Sequence, residues 1–207
     1  DWKEFPATME KVSGDLFQLS AANTARSLTP IREYIHGAID HAEAVASQRG
    51  KAMAGIATGF TDIDRTLTGL KNGQMIVVGA RTSMGKTTFA TQAAVHVATG
   101  VRYDDGFKQD PLPVGLWSLE MANEEIVNRV LWSESNVPLI RMRDGFLKHG
   151  EMSRIGQAAG RLAAAPLYLD DSPGLTLPQL RARVLMGVRR FGIKLAVIDF
   201  FHLIRAT

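Results

Sequence analysis

The chain has 207 residues, with 24 lysines and arginines against 21 aspartates and glutamates, a net charge of +3, and 45% hydrophobic residues. That balance is an ordinary mixed surface and does not by itself declare a nucleic-acid partner. Cysteine is absent, which excludes disulfides and thiolate zinc sites and is compatible with a reducing compartment. No apolar run approaches membrane-spanning length and the opening DWKEFPATMEK lacks a signal-peptide pattern, so a soluble cytoplasmic protein away from the membrane is expected.

Residues 1–28 hold one short amphipathic stretch, Met9 to Leu19, followed by the small, polar segment SAANTARS, which reads as a linker. Thr29-Pro30 then has the form of a helix start, with threonine as N-cap and proline at the first helical position. Ile31, Tyr34, Ile35, Ala38, Ile39, Ala42, Val45 and Ala46 make one apolar stripe, and the helix is expected to end near Gln48-Arg49-Gly50. Such a stripe must be buried, either on its own domain or on a neighbouring subunit that the flanking linkers allow it to reach. The expected organisation is therefore a helix and linker over 1–28, a linker helix over 29–50 and an α/β domain over 51–207.

Gly55 to Gln74 is rich in glycine and turn residues and leads into Met75–Ala80, a β-branched apolar run expected to be the first core strand. Ser83-Met84-Gly85-Lys86-Thr87 follows, and then a helix-compatible stretch with Phe89, Ala93 and Val97 in one row and Ala90 and Ala94 in the next. Strand, tight turn, GKT and helix form the context of a phosphate-binding loop. Glycine lets the backbone approach phosphate oxygens, and the free N–H groups of the helix start point at them. Lys86 supplies a point charge for the β and γ phosphates and the Thr87 hydroxyl a ligand for Mg²⁺, with Arg81, Thr82, Ser83, Met84, Gly85 and Thr88 completing the cradle. The strict motif wants glycine five residues before Gly85, where this chain has Ala80.

Gly100 to Pro113 reads as a polar surface excursion, and Val114–Ser118 as the second core strand. A helix from Asn123 to Ser133 is expected next, capped by Asn123, with Ile126, Val127, Val130 and Leu131 on one face. Another helical pattern lies within Asp144–Ala165, a third strand at Pro166–Asp170, and a helix opened by the capping box Thr176-Leu177-Pro178-Gln179 runs to Arg190. Lys194–Phe200 is a fourth strand ending in an acidic residue. Strands alternating with helices predict a mainly parallel sheet flanked by helices, with ligands outside the carboxyl ends of the strands. At those ends the chain places Glu120, suited to activate water, and Asp199, suited to hold Mg²⁺ through water. His202 stands close by as a second polar group that could sense the γ phosphate. Asp170-Asp171-Ser172-Pro173-Gly174 reads as turn chemistry, and Arg181, Arg183, Arg189 and Arg190 as a solvated face.

Taken together, these residues resemble the DnaB family of hexameric replicative helicases, whose motor is a RecA-like P-loop ATPase. GARTSMGKTTFA is similar to that family's A-R-P-S-M-G-K-[ST] loop, which itself has alanine at the position of Ala80, although Thr82 replaces the usual proline. Ser118-Leu119-Glu120-Met121 resembles its S-L-E-M segment, whose glutamate is the catalytic carboxylate, and Ala196–Leu203 its I-D-Y-L-Q-L strand, with Phe200, Phe201 and His202 diverging. The resemblance implies an ATP- and Mg²⁺-dependent enzyme acting on single-stranded DNA, a ring-shaped homo-oligomer, and primase and a helicase loader as partners. It also implies that the γ-phosphate sensor, the DNA-binding loops and the arginine finger follow Thr207, so this stretch is expected to be a linker plus the first half of a motor, weakly active alone. The readings that compete with it are a RecA- or RadA-type recombinase, against which Ser118–Met121 speaks, and a non-catalytic nucleotide-binding oligomerisation module.

Overall fold

The computed structural model describes residues 29–47, 53–81, 83–138, 140–141 and 144–199. Residues 1–49 and 50–207 form two compact units. The expected helix at Met9–Leu19, its linker and the end of the linker helix at Gln48–Gly50 lie outside the described residues.

In the first unit, α1 (Arg32–Ser47) begins two residues later than the threonine-proline signal suggests. Glu33 N–H donates to Pro30 O at 3.1 Å and Tyr34 N–H to Ile31 O at 2.9 Å, so a tighter turn leads into the helix. Ile31, Tyr34, Ile35 and Ile39 are all exposed, so this part of the apolar stripe faces solvent.

The second unit is built around a three-stranded parallel sheet, order β4-β3-β5, from β3 (Val114–Ser118), β4 (Leu167–Asp170) and β5 (Leu195–Asp199). The register pairs Val114 with Leu167 on one side and Leu195 on the other, so the strands end level: Trp117 beside Asp170 and Ser118 beside Asp199. The central strand, β3, is fully buried. Its alternating side chains feed two cores. Val114 and Leu116 pack with Ala94, Val95, Val97 and Ala98 of α3 (Lys86–Thr99) and with Ile126 and Val130 of α4 (Asn123–Ser135), and Leu162 of α5 (Glu151–Ala164) joins this side. Trp117 and Leu119 turn to the opposite face, against Leu180 and Val184 of α6 (Leu177–Phe191) and Ile193. Burying each of the valines, leucines and isoleucines contributes about 1.5–3 kcal/mol, so these two faces hold the layers together. Gly115 leaves room for the indole and Gly187 for Ile193: a Cβ at Gly115 would lie 2.5 Å from the Trp117 ring, and one at Gly187 would lie 2.7 Å from Ile193 Cδ1.

The helix at Thr176 starts as its capping box dictates, with both reciprocal side-chain bonds made. Three expectations change. Met75–Ala80 is not a strand: it is irregular, without a ladder partner among the described residues, and exposed, Met75 at 83% and Val77 at 78%. β-propensity describes fit to a pleated surface, and it cannot form one without a neighbouring backbone. The helical pattern within Asp144–Ala165 narrows to Glu151–Ala164.

The third change is Gly100–Pro113, which is an antiparallel ribbon, β1 (Val101–Arg102) with β2 (Lys108–Gln109), pinned to the segment leading to α2 (Thr61–Leu67). Gln109 donates to Ala57 O at 3.3 Å and accepts from Ala57 N–H at 2.8 Å, and the Tyr103 hydroxyl donates to Asp64. Asp64 is 1% exposed and also accepts from Thr58 N–H, the Thr58 hydroxyl and Gly59 N–H. Burial pushes the Tyr103 hydroxyl well above its ordinary range, reinforced by the Asp64 carboxylate, so it stays a donor. Asp64→Ala strands these donors together, and a loss of about 3 kcal/mol is expected in urea unfolding.

Candidate nucleotide site at the carboxyl ends of the strands

The site is assembled where the loop after β3 leaves the level carboxyl ends of β3 and β5 and the start of α3 comes beside it. The loop before α3 runs through Arg81, Ser83 and Met84 to Gly85, the N-cap, at φ 84°. Ser83 is also left-handed, at φ 64°, a conformation that costs a residue bearing a Cβ about 1–2 kcal/mol. Two left-handed residues, with Met84 between them, turn the backbone sharply into the helix, and Gly85 is where its glycine is required. A glycine turn leading into a helix start is the kind of geometry in which backbone N–H groups can approach an anion. Lys86 and Thr87 open that helix and are half-buried. The Thr91 hydroxyl donates to Thr87 O at 2.7 Å and stiffens the first turns. Thr82 lies outside the described residues.

A cleft of ≈ 30 Å³ has Thr87 and Thr88 on one wall and Met121 and Arg129 on another, which brings the start of α3 beside the loop after β3. That loop is closed on itself. The Ser118 hydroxyl, with its residue 1% exposed, donates to Met121 O at 2.8 Å and accepts from Met121 N–H at 3.1 Å. Glu120 stands exposed at the tip of the loop so formed. Leu119 N–H donates to Asp199 O at 2.7 Å, tying the same loop to the end of β5.

Asp199 is 6% exposed and its Oδ2 has no hydrogen-bond partner among the described residues. A buried carboxylate oxygen without a donor is costly and wants a cation or an ordered water. A hard carboxylate oxygen of this kind could take hydrated Mg²⁺. His202, with Phe200 and Phe201, lies outside the described residues.

Two residues read as turn chemistry do more than turn the chain. Asp170 accepts from Arg183 Nη1 at 2.8 Å and from Ser172 N–H at 3.0 Å. Burial pushes its carboxyl up, but Arg183 and Ser172 outweigh it and hold the group below the usual carboxylate range. Arg183 therefore leaves the solvated face expected of the arginines on α6. Asp171 Oδ2 accepts from Asn123 N–H at 2.9 Å. Asn123 is not the cap of α4: the N-cap is Ala122, which has no side-chain acceptor, and Asn123 is the first helical residue. The missing acceptor was the available signal, since a helix start led by alanine needs its donors satisfied from elsewhere.

Residues 55–207 match the model of the DnaB-like helicase C-terminal domain. The chain belongs to the DnaB-like helicase family. It is 35% identical over 195 residues to the replicative DNA helicase DnaB of Leifsonia xyli subsp. xyli, covering 94% of this chain and 40% of that protein. It is 35% identical over 204 residues to DnaB of Pasteurella multocida, covering 96% of this chain and 42% of that one. The chain thus spans about two fifths of the length of these relatives. Among solved structures it resembles a DnaB-like replicative helicase studied with its interactions with primase, with a TM-score of 0.73 and 22% identity, covering 96% of this chain and 45% of that one. It also resembles a separately solved ATPase domain, with a TM-score of 0.71 and 22% identity, covering 86% of this chain and 60% of that one. The RecA-like α/β class expected from the sequence is the observed fold. Among the described residues no helix is long and apolar enough to cross a membrane.

Proposed function

We propose that this chain supplies the linker helix and the leading part of the motor of a ring-forming replicative DNA helicase that couples Mg²⁺-ATP hydrolysis to unwinding. The observation that carries the reading is the convergence at one sheet end of three groups. These are the left-handed turn into Lys86 and Thr87, the clamped loop bearing Glu120, and the buried carboxylate of Asp199, whose backbone carbonyl accepts from Leu119 N–H of that loop at 2.7 Å.

In this reading the N–H groups at the start of α3 and the Lys86 ammonium bind the β and γ phosphates, and Gly85 lets the backbone approach them. Asp199 and the Thr87 hydroxyl would hold the metal, which would supply neutralisation of phosphate charge. Glu120 accepts a proton from the attacking water and orients it toward the γ phosphate. Its exposed position at the loop tip leaves it open to water.

The exposed stripe Ile31–Tyr34–Ile35–Ile39 of α1 supports assembly, since its burial against a second copy is favourable. The exposed run Met75–Val78 and the half-open edge strand β5 support a sheet extended by further strands of the same motor. Single-stranded DNA, a homo-hexameric ring, primase and a loader are the partners that go with this function, in the cytoplasm.

The test is DNA-stimulated ATP hydrolysis and unwinding of a forked duplex by the full-length protein. Mg²⁺-dependent turnover that rises with single-stranded DNA, together with strand separation, is expected. Homologous strand exchange without unwinding, or nucleotide binding with no turnover in the assembled protein, would overturn the reading.

A further inference from the structure

A water-activating carboxylate works only if held to within a fraction of an ångström, so the frame of the Glu120 loop bears on the rate. The loop is fixed at three points. Its start is tied by Leu119 N–H to Asp199 O, and its middle is closed by the two bonds between Ser118 and Met121. Its end runs into α4, whose N-cap Ala122 offers no side-chain acceptor.

The acceptor that α4 lacks comes instead from the next strand of the sheet. Trp117 and Asp170 lie side by side in the β3–β4 register, so the residue after β4 emerges next to the loop after β3. There Asp171 Oδ2 receives the Asn123 N–H at 2.9 Å. The direction in which Asp171 faces is set by its predecessor: Asp170 is held from behind by Arg183 at 2.8 Å, and Arg183 Nη1 also donates to Ser172 Oγ at 2.6 Å. A carboxylate at a helix N-terminus also meets the positive end of the helix dipole.

We infer that Asp171 is a positioning residue for the reaction, a cap supplied from another strand that fixes the α4 end of the Glu120 loop. The inference rests on the function proposed above. Asp171 reaches the backbone N–H of Asn123, three residues past Glu120, and it acts through the loop and not on the nucleotide.

The role needs an acceptor oxygen at residue 171 and not its charge, which separates it from general electrostatics and from simple stability. In the full-length protein, Asp171→Ala is expected to lower kcat for ATP hydrolysis about tenfold while KM for ATP changes less than about twofold, because phosphate binding belongs to the α3 side. Asp171→Asn retains an acceptor and is expected to recover most of the rate. Hydrogen exchange at the Asn123 amide should quicken in the alanine variant and stay slow in the asparagine one. In a Glu120→Gln background, Asp171→Ala should cost no more than about a further twofold in single-turnover rate, since residues acting as one unit are non-additive.

A full rate in Asp171→Ala, an asparagine variant as slow as the alanine one, or a KM rising in step with the loss of kcat would each overturn the inference and leave the proposed function standing. An unsubstituted protein that turns over no ATP would overturn the proposed function itself, and this inference with it.

Discussion

Lys86→Ala is expected to abolish Mg²⁺-dependent nucleotide binding, weakening it by at least about 100-fold, or about 2.7 kcal/mol. The figure follows from what an ammonium contributes beside phosphate. Charge-assisted hydrogen bonds contribute about 1.5–3 kcal/mol each, and more than one phosphate oxygen lies within reach of a lysine at the first helical position. Substitution should leave the fold in place, because Lys86 is half-buried at the start of α3 while the packing of that helix rests on Ala94, Val95, Val97 and Ala98 further along. Alanine is also a good helix former, so the helix start is not disturbed for lack of propensity. Titration calorimetry with ATP and Mg²⁺ decides the matter alongside a thermal melt. An unchanged affinity in a folded variant would remove the phosphate-binding reading of the loop, and with it the assignment of Thr87 and Asp199 as metal ligands.

How much of this was legible in the sequence depended on whether the physics was local. Thr176 and Gln179 announce their helix because both bonds of the capping box close within three residues. Gly85 is legible for a similar reason: a sharp turn into a helix at φ 84° selects glycine whatever surrounds it. Glu120 and Asp199 could be placed at strand ends from two apolar runs, and the parallel register then brought those ends level. Met75–Ala80 shows where this stops. Its composition is that of a strand, yet a strand exists only with a partner for its backbone, and sequence periodicity does not report whether an edge is offered. Gly100–Pro113 fails in the opposite direction, since its polar composition hides a ribbon held by Gln109 and Tyr103 to residues far away in the chain. Asp171 belongs with these: a carboxylate two residues before a proline reads as a turn, and its partner Asn123 is 48 positions distant.

Glu120→Gln is expected to separate binding from chemistry. The substitution is nearly isosteric and removes only the ability to take a proton. Glu120 is exposed, so no buried charge is left unpaired and no cavity is opened. The Ser118–Met121 clamp and the Leu119–Asp199 tie involve backbone and Ser118 only, so the loop keeps its shape. Affinity for Mg²⁺-ATP should therefore stay within about threefold, because the ligands assigned to the phosphates and the metal are untouched. General-base assistance contributes about 10²–10⁴-fold to a rate, and the turnover of the full-length protein should fall by at least about 100-fold. The contrast with Lys86→Ala is the informative part. Lysine loss should appear in binding and glutamine in kcat alone, and a rapid quench of bound ATP in the glutamine variant should find it unhydrolysed. Turnover within tenfold of the unsubstituted protein would show that another group activates the water. Lost affinity would show instead that Glu120 is part of the binding surface for nucleotide or metal.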